Sequence, residues 1–510
     1  MARRISSFAL PLLLLIAALS CQSTAVAKDS PRPNIIVIMA DDLGYGDLSC
    51  YGATEIETPH IDSLAKDGVL FRDGYCSAST CTPTRFSFLT GMYAFRQPGT
   101  GIAPPNATSL IQPGTPTIAS VLNDAGYKTA VVGKWHLGLG EGQQPDWNGD
   151  LKPGPLEIGF DECFLLPTTN DRVPQVYVKN HRVVNLDPAD PLWVGRKNPD
   201  GQPTGLTHRD TLKMDWSHGH HDTIHNGISR IGFYSGGHAA RWRDEDLADM
   251  WVNEANRFME ANKDQPFFLF FSSHDIHVPR MPHERFQKKS GLGYRGDAIL
   301  ELDWQVGQVR ETVNRLGLAE NTLIIFCSDN GPVLDDGYKD GAVEQLGEHE
   351  PAGPYRGGKY SGYEGGTRTP FITCWPGTVS PGESSHIVNT IDLATSMAAL
   401  VNQPLPEKAF PDSLNVLPAL LDKPDAEGRT ENVEQGTNSL GFRHGDWKLV
   451  VYKNAKAAGK TFEKKGKGLV ELYNLKNDPG ETKDLIDEQP KKAEELKARL
   501  DEIQKNPTRF

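Results

Sequence analysis

Four short, uninterrupted apolar runs, each followed by polar residues, constrain this chain more than any other feature. They are residues 35–39 before Asp41 and Asp42, 130–132 before Lys134 and His136, 267–271 before His274 and His277, and 323–327 before Asp329 and Asn330. A strand with one wet face alternates apolar and polar residues, whereas a strand covered on both faces need not. Helical stretches at 61–67 and 117–125 separate the runs, as the crossovers of a parallel sheet require. The pattern predicts an α/β fold with a mostly parallel sheet covered by helices on both faces. Ligands in such sheets bind at the carboxyl ends of the strands, where these polar residues fall.

Length and composition agree. With 510 residues, 38% hydrophobic and 23% charged, the chain is neither disordered, collagen-like nor a multi-spanning membrane protein. One large domain with a smaller companion is expected. Residues 153–246 are rich in Pro, Gly, His and Asn and predict loops over the strand ends, where substrate specificity would reside. After about residue 411 the texture changes to short antiparallel strands at 442–452 and 469–475 and a helix at 489–504, a small α+β subdomain. The division is residues 1–27, 28–410 and 411–510. A net charge of −13 excludes a nucleic-acid partner.

Residues 1–27 read as a signal peptide: Arg3 and Arg4, an apolar run at 8–19, and a small-x-small site ending at Ala27. The run is shorter than the ~20 residues a spanning helix needs, and no later segment supplies one. The protein is expected to be exported, periplasmic or extracellular; a lipid anchor on Cys21 is the second reading. Cleavage removes Cys21, one of seven cysteines. Those left are too sparse for a disulfide framework, and Cys327 reads as a buried thiol.

Asp41, Asp42, Asp329 and Asn330 would meet at one sheet edge if their strands are neighbours. Three carboxylates and an amide oxygen suit a hard divalent cation; alternatively, both pairs cap turns. A second motif is Cys81-Thr82-Pro83-Thr84-Arg85, running on to Leu89-Thr90-Gly91. Pro83 fits a first helical turn and Gly91 a helix end, which puts Cys81 at a helix N-terminus. There the amides, the dipole and Arg85 favour an anion.

This string resembles the signature of the type I sulfatases of the alkaline-phosphatase-like superfamily. The resemblance extends over 34–46, 58–91, 133–138, 328–332 and 363–370. It implies an alkaline-phosphatase-like sheet and a sulfuric ester hydrolase in which Cys81 is converted to formylglycine (3-oxoalanine) by a formylglycine-generating enzyme. It further implies metal ligation by Asp41, Asp42, Asp329, Asn330 and the modified Cys81, with calcium ahead of magnesium. Arg85, Lys134 and Lys359 become the clamps on the sulfate. His136 becomes the base acting on the hydrated aldehyde, and His277 the acid that protonates the leaving alcohol.

Asp171 and Arg172 resemble an acid–arginine pair of sulfatases acting on 6-sulfated galactose or N-acetylgalactosamine, and the expected partner is a sulfated saccharide. An ordinary loop salt bridge is the competing reading. The histidines at 218, 220, 221 and 225 fit no common zinc spacing and read as a polar loop near the cleft. Asp335 and Asp336 read as ordering the loop after the ligands. Asn106-Ala107-Thr108 is a glycosylation sequon. A phosphoester hydrolase of the same superfamily and a silent sulfated-glycan-binding protein are the alternatives.

Overall fold

The computed structural model describes residues 1, 32–199, 201–454 and 469–507; the signal peptide, Ala27 and Cys21 lie outside them. Ten strands form the main sheet: β1 (Asn34–Ala40), β2 (Val69–Phe71), β3 (Lys128–Lys134), β4 (Glu162–Leu166), β5 (Val178–Lys179), β6 (Arg182–Val183), β7 (Phe267–Ser272), β8 (Thr322–Ser328), β9 (Phe371–Cys374) and β10 (Gly382–Ser384). Their spatial order is β10-β2-β9-β8-β1-β7-β3-β4-β5-β6. The central block β8-β1-β7-β3-β4 is parallel, with antiparallel pairings toward both edges.

The apolar runs do not alternate because both faces of the sheet are dry. Ile35, Val37 and Met39 of β1 join one core with Phe268, Phe270, Leu323 and Ile325. Ile36, Ile38 and Ala40 join the other with Phe267, Leu269, Ile324 and Phe326. The first face is covered by α2 (Cys81–Thr90), α3 (Ile118–Asp124) and α6 (Leu393–Leu400), and the second by α1 (Pro59–Lys66), α4 (Leu247–Asn262) and α5 (Gly293–Arg315). In register, Ala40 pairs with Ser328, Met39 with Ser272, and Ser272 with Gly133. The residues that follow these strand ends therefore share one rim.

The insert at 153–246 departs from the loop expectation. It supplies β4 to the main sheet and the β5–β6 hairpin to its edge, together with short ribbons such as Trp193–Gly195 against Phe233–Ser235. The run Cys163-Phe164-Leu165-Leu166 is buried, but its brevity within a Pro/Gly-rich stretch hides it. The expected strand at 442–452 is two strands of a hairpin turning at Gly445, φ 58°. Here β11 (Glu431–Gln435), β12 (Ser439–His444), β13 (Trp447–Tyr452) and β14 (Val470–Asn474) form an antiparallel sheet in sequence order. Leu496, Leu500 and Ile503 of α7 (Pro490–Lys505) pack on Val433, Phe442, Leu449 and Leu472 of this sheet, and Tyr93 and Ile391 join the same core. The six described cysteines are free, and no helix of the described residues is long and apolar enough to cross a membrane.

The opposite face of this small sheet carries a buried charge. Lys448 Nζ donates to Glu364 Oε1 at 2.7 Å and to Glu434 Oε2 at 2.5 Å, with all three side chains fully enclosed. Removing one partner of such a cluster strands the rest in a low dielectric. Lys448→Met is therefore expected to lower stability by roughly 3–5 kcal/mol, read as a lower urea midpoint. An unchanged midpoint would show that the two carboxylates are neutral and the lysine dispensable.

Candidate active site

Cys81 opens α2, preceded by Thr80 in an extended conformation, and the helix ends at Gly91 in the left-handed region. There a Cβ would meet Phe410 at 2.6 Å, so the helix end requires glycine. Thr84 Oγ1 donates to Ala78 O at 2.9 Å and accepts the Ala78 N–H at 3.2 Å. That hydroxyl closes the loop leading into Cys81, a task either serine or threonine can perform. Burial pushes the Cys81 thiol up despite the nearby Lys134 and Lys359. An unmodified thiol here is a poor nucleophile.

The acids predicted at the rim do converge. Asp41, Asp42, Asp329 and Asn330 are fully buried; the Asp42 N–H donates to Asp329 Oδ1 at 3.3 Å, and Asn330 Nδ2 donates to Asp42 Oδ1 at 2.7 Å. Three cations answer them. Arg85 Nε donates to Asp329 Oδ2 at 2.9 Å, Lys134 Nζ donates to Asp41 Oδ2, and Lys359 Nζ donates to Asp42 Oδ2 at 2.8 Å. Gly133 lets Lys134 in: its φ is 107° and a Cβ would lie 1.9 Å from the Ser272 carbonyl oxygen.

Two oxygens in this cluster have no partner. Asp41 Oδ1 and Asn330 Oδ1 are buried and accept no hydrogen bond, although buried polar atoms are nearly always satisfied. Burial, then Asp329, pushes the Asp41 carboxyl up to about 8. Unsatisfied oxygen donors in an acid-rich cluster fit a hard cation. Among the described residues, Asp41, Asp42 and His277 form one group close enough to hold a metal, and His274, Asp275 and Glu301 form another.

Two histidines face this centre in defined tautomers. The His136 ring presents Nε2 to the Ala103 carbonyl at 3.0 Å. A carbonyl only accepts, so Nε2 carries the proton, and Nδ1, 3.2 Å from Cys81 Sγ, is left as the acceptor. The His277 ring gives its Nδ1 proton to Val278 O at 2.7 Å, which turns Nε2 toward Asp42 Oδ2 at 4.0 Å. Burial, aided by Lys134, holds both imidazoles well below the usual range and neutral.

Asp171 is buried and is bound by Arg172 Nη1 at 3.0 Å, by His220 Nε2 at 2.9 Å and by the Thr169 hydroxyl. Asn170, the residue before Asp171, donates from Nδ2 to the His277 carbonyl at 3.2 Å, so this pair sits on the His277 side of the centre. The four histidines of 218–225 do not act together. His220 serves Asp171, while His225 is held between Tyr234 and Trp242. Asp336 does more than order a loop: it binds Lys359 Nζ and the Tyr360 hydroxyl, each at 2.8 Å, and Lys359 overcomes burial to hold it at about 2. Asn170 orients His277, with Oδ1 3.2 Å from Nδ1. Asn170 and Tyr360 adjoin residues singled out from sequence, which was the one signal that could have found them.

A mostly parallel sheet whose rim gathers buried acids, an arginine, two lysines and two tautomer-fixed histidines around a helix N-terminus belongs to the alkaline-phosphatase-like class of ester hydrolases. The sulfatase family model matches residues 33–403, and the chain belongs to that family; it is a sulfuric ester hydrolase. It is 48% identical over 502 residues to an N-acetylgalactosamine-6-O-sulfatase of Bacteroides thetaiotaomicron, covering 97% of this chain and 98% of that protein. It is 33% identical to human arylsulfatase A over 80% of this chain and 70% of that one. A solved structure from work on glycosaminoglycan metabolism by Bacteroides thetaiotaomicron superposes with a TM-score of 0.89 at 47% identity, covering 94% of this chain and all of that one. A sulfatase structure from Pseudoalteromonas sp., at 23% identity and a TM-score of 0.68 over 93% of this chain and 91% of that one, shares the fold.

The neutral His225 makes a pH prediction. Its Nδ1 faces the Tyr234 hydroxyl and its Nε2 the Trp242 carbonyl, both at 2.7 Å, and burial lowers it to about 4. Unfolded, it would take a proton below about 6.5. The unfolded state therefore binds more protons in between, and stability is expected to fall as pH drops from 6.5 toward 4. Urea midpoints across that range should decline less steeply in His225→Asn; identical slopes would show that His225 plays no part.

Proposed function

We propose that this protein is an exported sulfatase that removes 6-O-sulfate from N-acetylgalactosamine or galactose in sulfated glycans. The observation that carries the substrate is the Asp171–Arg172 pair on the His277 side of the centre, in a chain 48% identical to an N-acetylgalactosamine-6-O-sulfatase along nearly its whole length. In this reading residues 1–27 direct the chain to the periplasm or outside the cell, and a formylglycine-generating enzyme modifies Cys81.

Asp41, Asp42, Asp329 and Asn330, with residue 81, would hold the cation. Calcium suits a buried, irregular set of oxygen donors better than magnesium, which keeps its water and a strict octahedron. When bound, the cation supplies charge neutralisation at the sulfate oxygens. The formylglycine hydrate supplies a hydroxyl that attacks sulfur. The remaining work falls to this chain. Arg85, Lys134 and Lys359 keep positive charge fixed where negative charge gathers. His136, with Nε2–H committed to Ala103, takes a proton at Nδ1 from residue 81. His277, with Nδ1–H committed to Val278, leaves Nε2 as a bare acceptor; it protonates the leaving sugar oxygen once Nε2 has taken a proton from solvent. Asp171 and Arg172 bind the sugar hydroxyls.

Intact mass should place residue 81 about 18 Da below a cysteine, the difference between thiol and aldehyde. The purified protein is expected to release sulfate from N-acetylgalactosamine 6-sulfate, to leave the 4-sulfate and the 6-phosphate untouched, and to lose activity by at least about 10³-fold in Cys81→Ala. Chelation should abolish turnover and calcium restore it. Activity surviving Cys81→Ala would end the covalent mechanism, and preference for the 4-sulfate would end the assigned substrate.

A further inference from the structure

Positive φ is costly for side chains other than glycine, and where it persists the surroundings must enforce it. Most such residues here are Asn, Asp or Lys. Among the described residues two carry a six-membered aromatic ring, Phe410 at φ 55° and Tyr360 at φ 77°. Phe410 is 1% exposed and packs against Gly91, so core packing accounts for its ring. Tyr360 is 37% exposed, and core packing does not account for it.

The Tyr360 backbone is clamped on both sides. Its N–H donates to the carbonyl of Ser79, two residues before Cys81, at 2.8 Å, and its carbonyl accepts the Thr437 N–H at 3.0 Å. Glycine would meet both bonds without strain. The side chain is fixed as well: the hydroxyl donates to Asp336 Oδ1 at 2.8 Å, and Lys359 Nζ lies 5.4 Å from the ring centroid. Gly337, the residue after Asp336, lies so close to the His220 ring that a Cβ there would be 1.8 Å from Nδ1, and His220 Nε2 bonds Asp171 at 2.9 Å. A partly exposed aromatic ring is thus held rigidly between the Lys359 site and the Asp171–Arg172 pair.

A pyranose presents hydroxyls at its edge and a patch of C–H groups on its face. Asp171 and Arg172 suit the hydroxyls, and neither offers anything to the C–H face. We infer that Tyr360 is a specificity-determining residue whose ring packs against the C–H face of the sulfated pyranose. This inference rests on the sugar-sulfatase reading above and adds the group that selects the sugar.

The test compares wild type, Tyr360→Gly and Tyr360→Phe, each carrying modified Cys81, on N-acetylgalactosamine 6-sulfate, with inorganic sulfate as a competitive inhibitor. Tyr360→Gly is expected to raise KM about 5- to 10-fold, as loss of one aromatic contact would, with kcat within about twofold. Its Ki for sulfate should stay at the wild-type value, and its melting temperature should hold or rise because the strain is gone. Tyr360→Phe keeps the ring and should keep KM within about twofold. An unchanged KM in Tyr360→Gly, or a fall in melting temperature with loss of sulfate binding, would overturn the inference and leave the sulfatase reading intact. A wild type inactive on this sugar sulfate would instead remove the substrate reading, and the role of Tyr360 with it.

Discussion

The concentration of buried carboxyl groups at the ends of two adjacent strands, β1 and β8, is the constraint around which the rest is arranged. Asp41, Asp42 and Asp329 are fully buried, and ionised carboxylates out of water are tolerated only when paired. Each has its own cation: Lys134 for Asp41, Lys359 for Asp42 and Arg85 for Asp329. The pairing also locates the cations. In the proposed mechanism the same charges that make the acids tolerable would also meet the sulfate oxygens, so stability and chemistry would draw on one set of side chains. The unpartnered oxygens of Asp41 and Asn330 mark where the pairing stops short, and a divalent cation would complete it.

Lys359 has to be brought to Asp42 from a distant part of the chain, and the small sheet helps to do this. Glu364, five residues after Lys359, receives Lys448 from β13, and its N–H donates to Glu481 at 2.7 Å. Gly331, next to Asn330, donates its N–H to the Gly366 carbonyl at 2.9 Å. The C-terminal residues thereby brace the segment that carries Lys359 against the segment that carries Asn330. Ser79 and Thr437, one two residues before Cys81 and one in the loop between β11 and β12, hold Tyr360 between them.

The parts legible in the sequence were those whose chemistry is local. Residues 35–39, 267–271 and 323–327 read as buried strands because nothing polar interrupts them, and their polar successors fell on one rim because parallel strands in register end together. Pro83 and Gly91 bracketed α2 for reasons internal to a helix. What escaped was set by tertiary contact. The Ala103 carbonyl fixes the His136 tautomer and Asn170 sits beside Nδ1 of His277, yet neither carries any pattern. His220 and His225 lie five residues apart and serve unrelated partners, so their clustering in sequence carried no shared purpose. β4 was hidden for a different reason, since a run as short as residues 163–166 gives a period too little length to show.

Backbone strain completes the picture of how this site is held. Asp42 and His136 adopt φ values of 59° and 53°, and both belong to the charged centre. Asp42 can afford the left-handed region more easily than most residues, because its short polar chain bonds locally. His136 is held there by its contacts: its ring is anchored by Ala103 and Cys81 while its carbonyl accepts the Thr82 hydroxyl at 3.1 Å. A sheet rim delivers side chains in fixed alternation, and a residue just past a strand end can reach a different direction only by leaving the extended region. The unusual φ of Asp42 and His136 therefore follows from asking two ordinary strands to turn their next residues inward onto a single point.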